Sequence, residues 1–437
     1  MIVAKFGGSS LADAAAWQQV KAIVQMERER RCLVVSAPGK RSADDDKVTD
    51  LLYRCHALQL TGDSIRPVFE RIAQRYRDIA HALQISGDLE VWLEEAYQAI
   101  QSGASREYAA SRGEYLCARL FAEYIGWQFV DAALGVCFDL NGQTDYERTN
   151  VQLKQALAPH ARAVLPGYYG CDPNGEIRTF SRGGSDVSGA LAACALNADL
   201  YENWTDVTGF RSADPRVVPD AGFIANMTYR ELRELSYMGA SVLHEDAVFP
   251  VRRAGIPTSL RNTFNPLHPG TMIHYSAARV SKKPMVTGIA GQKGYSLVSL
   301  EKDMMNNELG FGRKVLQVFE DFGVSFEHLP TGIDGMCVVV LTENFKPKRE
   351  MILESIMEAV APDFIQVQEH LAMVATVGTG MHRQLGIAAR LFTSLVEQGI
   401  NIKTISQLPS EISIIVGIEE DQLNDAIRSL YDAFIRT

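Results

Sequence analysis

The stretch MIVAKFGGSS, Met1 to Ser10, decides the architecture. Ile2-Val3-Ala4-Lys5-Phe6 is a short strand-forming run, and Gly7-Gly8-Ser9-Ser10 is a turn. Trp17, Val20, Ile23 and Val24 then recur at helical spacing, and Ser10 with Asp13 three residues on reads as a capping box for that helix. Cys32-Leu33-Val34-Val35 follows as a buried strand that ends in Ser36-Ala37-Pro38-Gly39. Strand, glycine-rich turn, helix, strand is the grammar of a parallel α/β sheet.

Outward from this unit, residues 47–125 are helical in pattern, and strand-like runs recur at 163–165, 200–204 and 258–260. The breaker-rich Asn265-Pro266-Leu267-His268-Pro269-Gly270 and the basic Lys282-Lys283-Pro284 close a first unit near residue 280. The remainder changes rhythm. Strands at 296–301, 324–328, 336–341 and 364–369 alternate with helices at 312–322 and 347–360 as a βαββαβ set. A second pass, from 371 to the last helix at 421–434, repeats that order over about seventy residues but without a final strand. The strand-like run Met285–Ala290 has no other partner, so inserting it would complete the second sheet and cover its open edge. The expected fold is therefore α/β: a parallel-rich sheet flanked by helices, then two ferredoxin-like units, the first inserted into the second.

Composition excludes several classes of function. The 437 residues are 46% apolar and 22% charged with a net charge of −10, a globular balance with no basic footprint for nucleic acid or an anionic membrane. No apolar run approaches the ~18 residues of a membrane span, and Lys5 breaks the first one too early for a signal peptide. Seven cysteines stand at 32, 55, 117, 137, 171, 194 and 337, an odd and scattered set that fits neither a disulfide framework nor a CxxC metal site. The expectation is a cytoplasmic protein without a resident metal. His244 reads as structural, since no second ligand-spaced residue accompanies it.

Two strings carry chemistry. In K-F-G-G-S-S the glycines let backbone amides approach an anion, the next helix adds roughly half a positive charge, and Lys5 on the strand points to the edge where α/β proteins bind ligands. In S-R-G-G-S-D, Ser181 to Asp186, an Arg, two glycines and an Asp share one helix N-terminus, which suits a zwitterion: Arg182 forks a carboxylate and Asp186 takes an ammonium. Alone, each string also reads as a capped turn beside solvated charges. Ala37-Pro38-Gly39-Lys40-Arg41-Ser42 is not a P-loop, because Val34 stands where the first glycine is required.

Together K-F-G-G-S-S, S-R-G-G-S-D, W-T-D-V-T-G-F-R-S-A-D-P-R (from Trp204), G-A-S-V-L-H (from Gly239) and I-S-Q-L-P-S-E (from Ile405) resemble the aspartokinases of the amino-acid kinase family, in the family's order along essentially the whole chain. The resemblance implies a catalytic domain at 1–280, a first ACT domain at 295–370, and a second ACT domain formed by 284–294 with 371–437. It also implies a monofunctional enzyme, since bifunctional relatives continue into a homoserine dehydrogenase. The activity implied is ATP-dependent phosphorylation of the β-carboxylate of L-aspartate, the first step toward lysine, threonine and methionine.

The residue roles follow from the same resemblance. Lys5, Gly7 and Gly8 would hold the phosphates, with Lys5 and Asp186 catalytic. Ser9, Thr49, Glu114, Arg182 and Asp186 would bind aspartate. Thr205, Asp206, Arg211 and Arg216 would contact ATP, whose Mg²⁺ is held mainly by the nucleotide. Arg211 stands where many relatives carry Tyr and Ser241 where many carry Lys, so Arg211 is the candidate compensating cation. In the first ACT domain Met305, Asn307, Glu308, Ser325, Phe326 and Glu327 would form an effector site. Its two acids favour lysine, alone or together with threonine, as inhibitor. A homodimer or dimer of dimers would assemble through the ACT domains. The rival enzyme reading is a kinase of the same fold acting on glutamate, carbamate or a nucleotide. The rival of another class is a non-catalytic amino-acid sensor.

Overall fold

The computed structural model of the chain describes all residues save 182, 241, 242, 244, 277–283, 383 and 437. It divides into two compact units. The first comprises Met1–Phe210, Phe223–Tyr229 and Val242–Val280, and the second Arg211–Gly222, Arg230–Ser241 and Ser281–Thr437.

In the first unit the strands are β1 (Ile2–Phe6), β2 (Arg30–Val35), β3 (Gln128–Phe129), β4 (Ala163–Pro166), a hairpin of β5 (Tyr169–Cys171) and β6 (Ile177–Thr179), then β7 (Leu200–Thr205), β8 (Asn226–Thr228), β9 (Thr258–Asn262) and β10 (Thr271–His274). All but the hairpin join one sheet in the order β3-β4-β2-β1-β7-β9-β10-β8. Every pairing is parallel except β9 with β10. The central strands are buried on both faces, so they read as continuous apolar runs. Trp17, Val20, Ile23 and Val24 of the helix Ala14–Met26 bury against Phe121 and Leu33, as their spacing predicts. That helix is capped differently from the expected box. Gly8–Leu11 wind as a 3₁₀ turn, so the Asp13 side chain, not Ser10, accepts from the Ala16 amide at 2.9 Å.

The second unit holds β11 (Gly288–Glu301), β12 (Phe326–His328), β13 (Gly335–Leu341), β14 (Phe364–Val377), β15 (Thr404–Gln407) and β16 (Ser413–Glu419) in one antiparallel sheet, ordered β12-β13-β11-β14-β16-β15. The sequence suggested separate strands ending at Ala290 and beginning at Ser296. They are instead one 14-residue strand, and the runs 364–369 and 371–377 likewise fuse into another. The joints are Gly294 and His370, at φ +90° and +60°, beside register shifts in the β11–β14 ladder. On one stretch Tyr295–Glu301 pairs with β13, and on the other Leu371–Val377 pairs with β16. Two cores result. Val298, Phe311, Val315, Phe319 and Ile352 fill one, and Ile289, Leu391, Val416, Ile427 and Leu430 the other. Segment 211–222 contributes Ala213, Val218 and Ala221 to the latter, so it packs with this unit rather than with the strand it follows in sequence. No described helix is long and apolar enough to cross a membrane, and all seven cysteines are free thiols.

Candidate active site

Lys5 lies one residue before the end of β1, in register with Val34 on one side and Asn203 on the other. It is only 7% exposed, and a buried ammonium needs a counter-charge. Asp186 supplies it: Lys5 Nζ is 2.6 Å from Asp186 Oδ1 and 3.4 Å from Asn203 Oδ1. Asn203 Nδ2 donates to the same Asp186 oxygen at 2.8 Å, closing a three-residue cluster. The helix Gly184–Ala195 that carries Asp186 starts after Gly183, a left-handed residue at φ +58°. It packs flush against β7, since a Cβ on Gly189 would stand 2.6 Å from the Tyr201 hydroxyl. That hydroxyl donates to the Asp186 carbonyl at 3.1 Å.

The turn after β1 is equally close-packed. The Gly7 amide donates to Trp204 O at 3.0 Å and the Gly39 amide to Gly8 O at 2.8 Å. A Cβ on Gly39 would lie 2.6 Å from the Gly8 carbonyl carbon, so two glycine backbones meet at the carboxyl edge of β1 and β2. Arg75 anchors the following loop through the Gly39 carbonyl at 2.8 Å and Asp45 at 2.6 Å, and the Arg41 and Arg75 guanidinium groups hold the Asp45 carboxyl well below the usual range.

Glu114 belongs to the helix Arg106–Ile125, which presses Gly113 onto this loop: a Cβ there would be 2.9 Å from that of Ala37. The carboxyl is 5% exposed, and burial raises its pKa to about 7, offset in part by the amides of Ala37 and of Glu114 itself. Its Oε2 is buried without a hydrogen-bond partner. An unpartnered buried carboxylate oxygen is costly unless a cation arrives to meet it.

The structure therefore brings Lys5, Gly7, Gly8 and Asp186 together at one sheet edge, with Glu114 packed through Ala37 and Gly39 onto the same turn. Ser9 is half-buried in that turn, and Thr49 is half-buried in the first turn of the helix Val48–Thr61. Thr205 and Asp206 follow β7, with Thr205 Oγ1 donating to Asp206 Oδ1 at 3.1 Å. Arg182, Ser241 and His244 lie outside the described residues. Arg211 and Arg216 belong to the second unit. Arg211 Nη1 donates to Ala221 O at 2.6 Å, and Arg216 pairs with Asp214 at 2.6 Å with its side chain 87% exposed. Sequence reasoning missed Asn203, a polar residue hidden in a strand, and Gly39, whose only signal was a failed P-loop.

The expected effector site is altered in one respect. Glu308 is not a free acid: Lys302 and Lys314 engage its two oxygens at 2.6 and 2.7 Å and hold its pKa below the ordinary value. Glu327 accepts a hydrogen bond from the Tyr237 hydroxyl. Met305 is buried, while Ser325 and Phe326 are exposed on or beside the edge strand β12.

The amino acid kinase family model matches residues 1–262, and an ACT domain model matches 374–434. Aspartokinase 3 of Bacillus subtilis (strain 168) is 36% identical over 449 residues, spanning 99% of this chain and 98% of that protein. The chain belongs to the aspartokinase family. The crystal structure of Clostridium acetobutylicum aspartate kinase, described as an allosteric enzyme, superposes with a TM-score of 0.90 at 44% identity over 99% of both chains. E. coli aspartokinase III, solved with aspartate and ADP, shares the fold at a TM-score of 0.75 and 24% identity over 99% of both. Within this aspartokinase fold, Lys5, Asn203 and Glu114 are buried and Asp186 is half-buried beside Lys5.

Proposed function

We propose that the chain catalyses transfer of the γ-phosphoryl group of ATP to the β-carboxylate of L-aspartate, giving 4-phospho-L-aspartate. The observation that carries this reading is the buried Lys5 ammonium held against Asp186 beside the Gly7-Gly8 turn. The nucleophile needs no base, because a β-carboxylate is already ionised at neutral pH. What remains is positioning and charge neutralisation, as in other phosphoryl transfers. Lys5 and the amides of Gly7 and Gly8 receive the phosphates, with Ser9 near the transferring group. Arg182 clamps the α-carboxylate, Glu114 and the free Oδ2 of Asp186 take the ammonium, and Thr49 orients the substrate. Thr205 and Asp206 bind the nucleotide. ATP enters carrying Mg²⁺ on its phosphates. The described residues offer no cluster of three or more His, Cys, Asp or Glu side chains to hold a metal apart from it.

Residues 295–370 form a first ACT domain inserted into a second, built from 284–294 and 371–437, a division supported by the two separate cores. The enzyme is monofunctional, a reading supported by the B. subtilis relative, 98% of whose length is matched. It acts in the cytoplasm, where free thiols persist. It associates through its ACT domains as a dimer or dimer of dimers, and lysine, alone or with threonine, inhibits at residues 305–308 and 325–327. With Glu308 neutralised, Glu327 is the acid left to select lysine's second ammonium. Trapping the acyl phosphate as a hydroxamate, with aspartate against glutamate as acceptor, tests the activity. A product from glutamate alone would overturn it.

A further inference from the structure

A concavity of about 200 Å³ opens in the first unit, lined chiefly by Lys21, Val24, Arg28, Ile125, Trp127 and Arg162. Its position is set by topology. Arg28, Trp127 and Arg162 precede the first residues of β2, β3 and β4, so they gather at the amino edge of parallel strands, whereas Lys5 and Gly7 stand at the carboxyl edge. The two sites are at opposite ends of the sheet.

The charge in this concavity is uncompensated. No Asp or Glu is among its lining residues. Lys21 Nζ donates to the Tyr124 carbonyl at 3.2 Å and lies 4.1 Å from the Tyr124 ring centroid, and the Arg162 guanidinium lies 5.3 Å from that of Trp127. Neither contact supplies a negative charge. The acids beside Arg28 in sequence are turned to other partners: Glu29 pairs with the Met1 ammonium and Arg31, and Glu27 Oε1 accepts from the Glu29 amide. Three cations, Lys21 half-buried and Arg28 and Arg162 exposed, therefore line one concavity with no ion pair among the described residues, on a chain whose net charge is −10. Water and salt screen their mutual repulsion, and an anion entering the concavity meets three unpaired cations at once.

We propose that Lys21, Arg28 and Arg162 form a second anion site that binds a small phosphoanion of two or three negative charges, with Trp127 as its apolar wall. The size fixes the class: ordinary small-molecule pockets run to roughly 300–1,000 Å³, too large a scale for this site, which suits pyrophosphate or a short phosphate ester rather than a whole nucleotide. Two guanidinium forks match phosphate oxygens pairwise, and a third cation balances the charge that a monocarboxylate would not fill.

Trp127 reports on its own site. Trp17, Trp92 and Trp204 are buried at 0%, 4% and 1% exposure, so Trp127 is the half-exposed indole. Inorganic pyrophosphate titrated into the full-length enzyme should quench emission saturably, with half-saturation rising as salt is added. Arg162→Ala and Arg28→Ala should each weaken binding about tenfold or more while leaving aspartate phosphorylation unchanged. Arg162→Lys should recover part of the loss. Trp127→Phe should remove the signal, and Lys5→Ala should leave it intact, separating this site from the catalytic edge. A quench that is absent, that survives the Arg28→Ala/Arg162→Ala double substitution, or that disappears with Lys5→Ala overturns the proposal. Equal or tighter binding of citrate overturns the phosphate assignment.

Discussion

With Glu114 in its proposed place against the substrate ammonium, aspartate binding becomes a titration. The Glu114 carboxyl is raised from an ordinary 4.5 to about 7 by burial, so the free enzyme near pH 6 holds it mostly neutral. An ammonium placed against the unpartnered Oε2 favours the ionised form, so binding must expel the proton wherever it is still present. Apparent affinity then falls about tenfold per pH unit below 7 and is flat above, a loss of about 30-fold between pH 8 and pH 5.5. Calorimetry at pH 7 in two buffers of different ionisation enthalpy should register the proton released. Glu114→Gln should abolish both the slope and the proton release, and at pH 8 it should weaken aspartate by about 2–3 kcal/mol, the worth of a hydrogen bond to a charged group. Without ligand the sign reverses. A carboxyl whose folded pKa lies above its unfolded one stabilises the fold fully below about pH 4.5, and that contribution is lost as pH rises through about 7, so ionisation costs about 3 kcal/mol in alkaline buffer. Glu114→Gln should therefore be more stable than wild type at pH 8.5 and lose that advantage at pH 5. A flat affinity profile in the wild type, or an unchanged slope in Glu114→Gln, would refute the reasoning.

Lys5→Ala should lower kcat by about 10²–10³, equivalent to about 3–4 kcal/mol of electrostatic stabilisation, with a smaller change in the KM for aspartate; near-native turnover would remove Lys5 from the chemistry. Asn203→Leu, which deletes the donor to Asp186 while keeping the branched shape, should lower kcat about tenfold, and unchanged steady-state kinetics would reduce Asn203 to packing. Gly39→Ala places a Cβ 2.6 Å from the Gly8 backbone and should raise the KM for ATP and lower thermal stability together; a neutral variant would show that the two loops can part freely. Glu327→Ala should blunt lysine inhibition while leaving uninhibited kcat intact, whereas Lys302→Ala/Lys314→Ala, which together free both oxygens of Glu308, should sharpen it; activity titrations with lysine, threonine and both would show either effect.

Local pattern made much of this molecule legible. The strand at Ile2–Phe6, the helix carrying Trp17 and Val20, and the βαββαβ order after residue 295 all follow from periodicity and glycine punctuation, because burial imposes those periods on any sequence that folds this way. Failures came where one residue's meaning depends on a distant one. The sequence reads as separate strands on either side of Gly294 and of His370. In the sheet these two residues are the points where a continuous pair changes register, which only the partner strand reveals. Glu308 shows its charge in the sequence but not the two lysines that neutralise it. Asn203 looks like a polar interruption of a buried strand until register sets it opposite Lys5.

Asp186 gathers these threads. Read from the sequence, it is an early-helix acid suited to an ammonium, and as the acid nearest Lys5 it is also the natural candidate for a catalytic base. The reaction needs none, since the acceptor carboxylate is ionised before it binds. Both of its side-chain contacts fall on Oδ1, from the Lys5 ammonium and the Asn203 amide. That oxygen fixes where the Lys5 charge sits, and the close packing of Gly189 on Tyr201 fixes where the oxygen sits. A lysine on a long flexible stem is a poor electrostatic catalyst unless its position is settled before the phosphates arrive, because reorganising it later would consume the stabilisation it provides. The carboxylate lowers the local positive charge, but it converts a mobile cation into an oriented one, and orientation is what a transition state with spread charge requires.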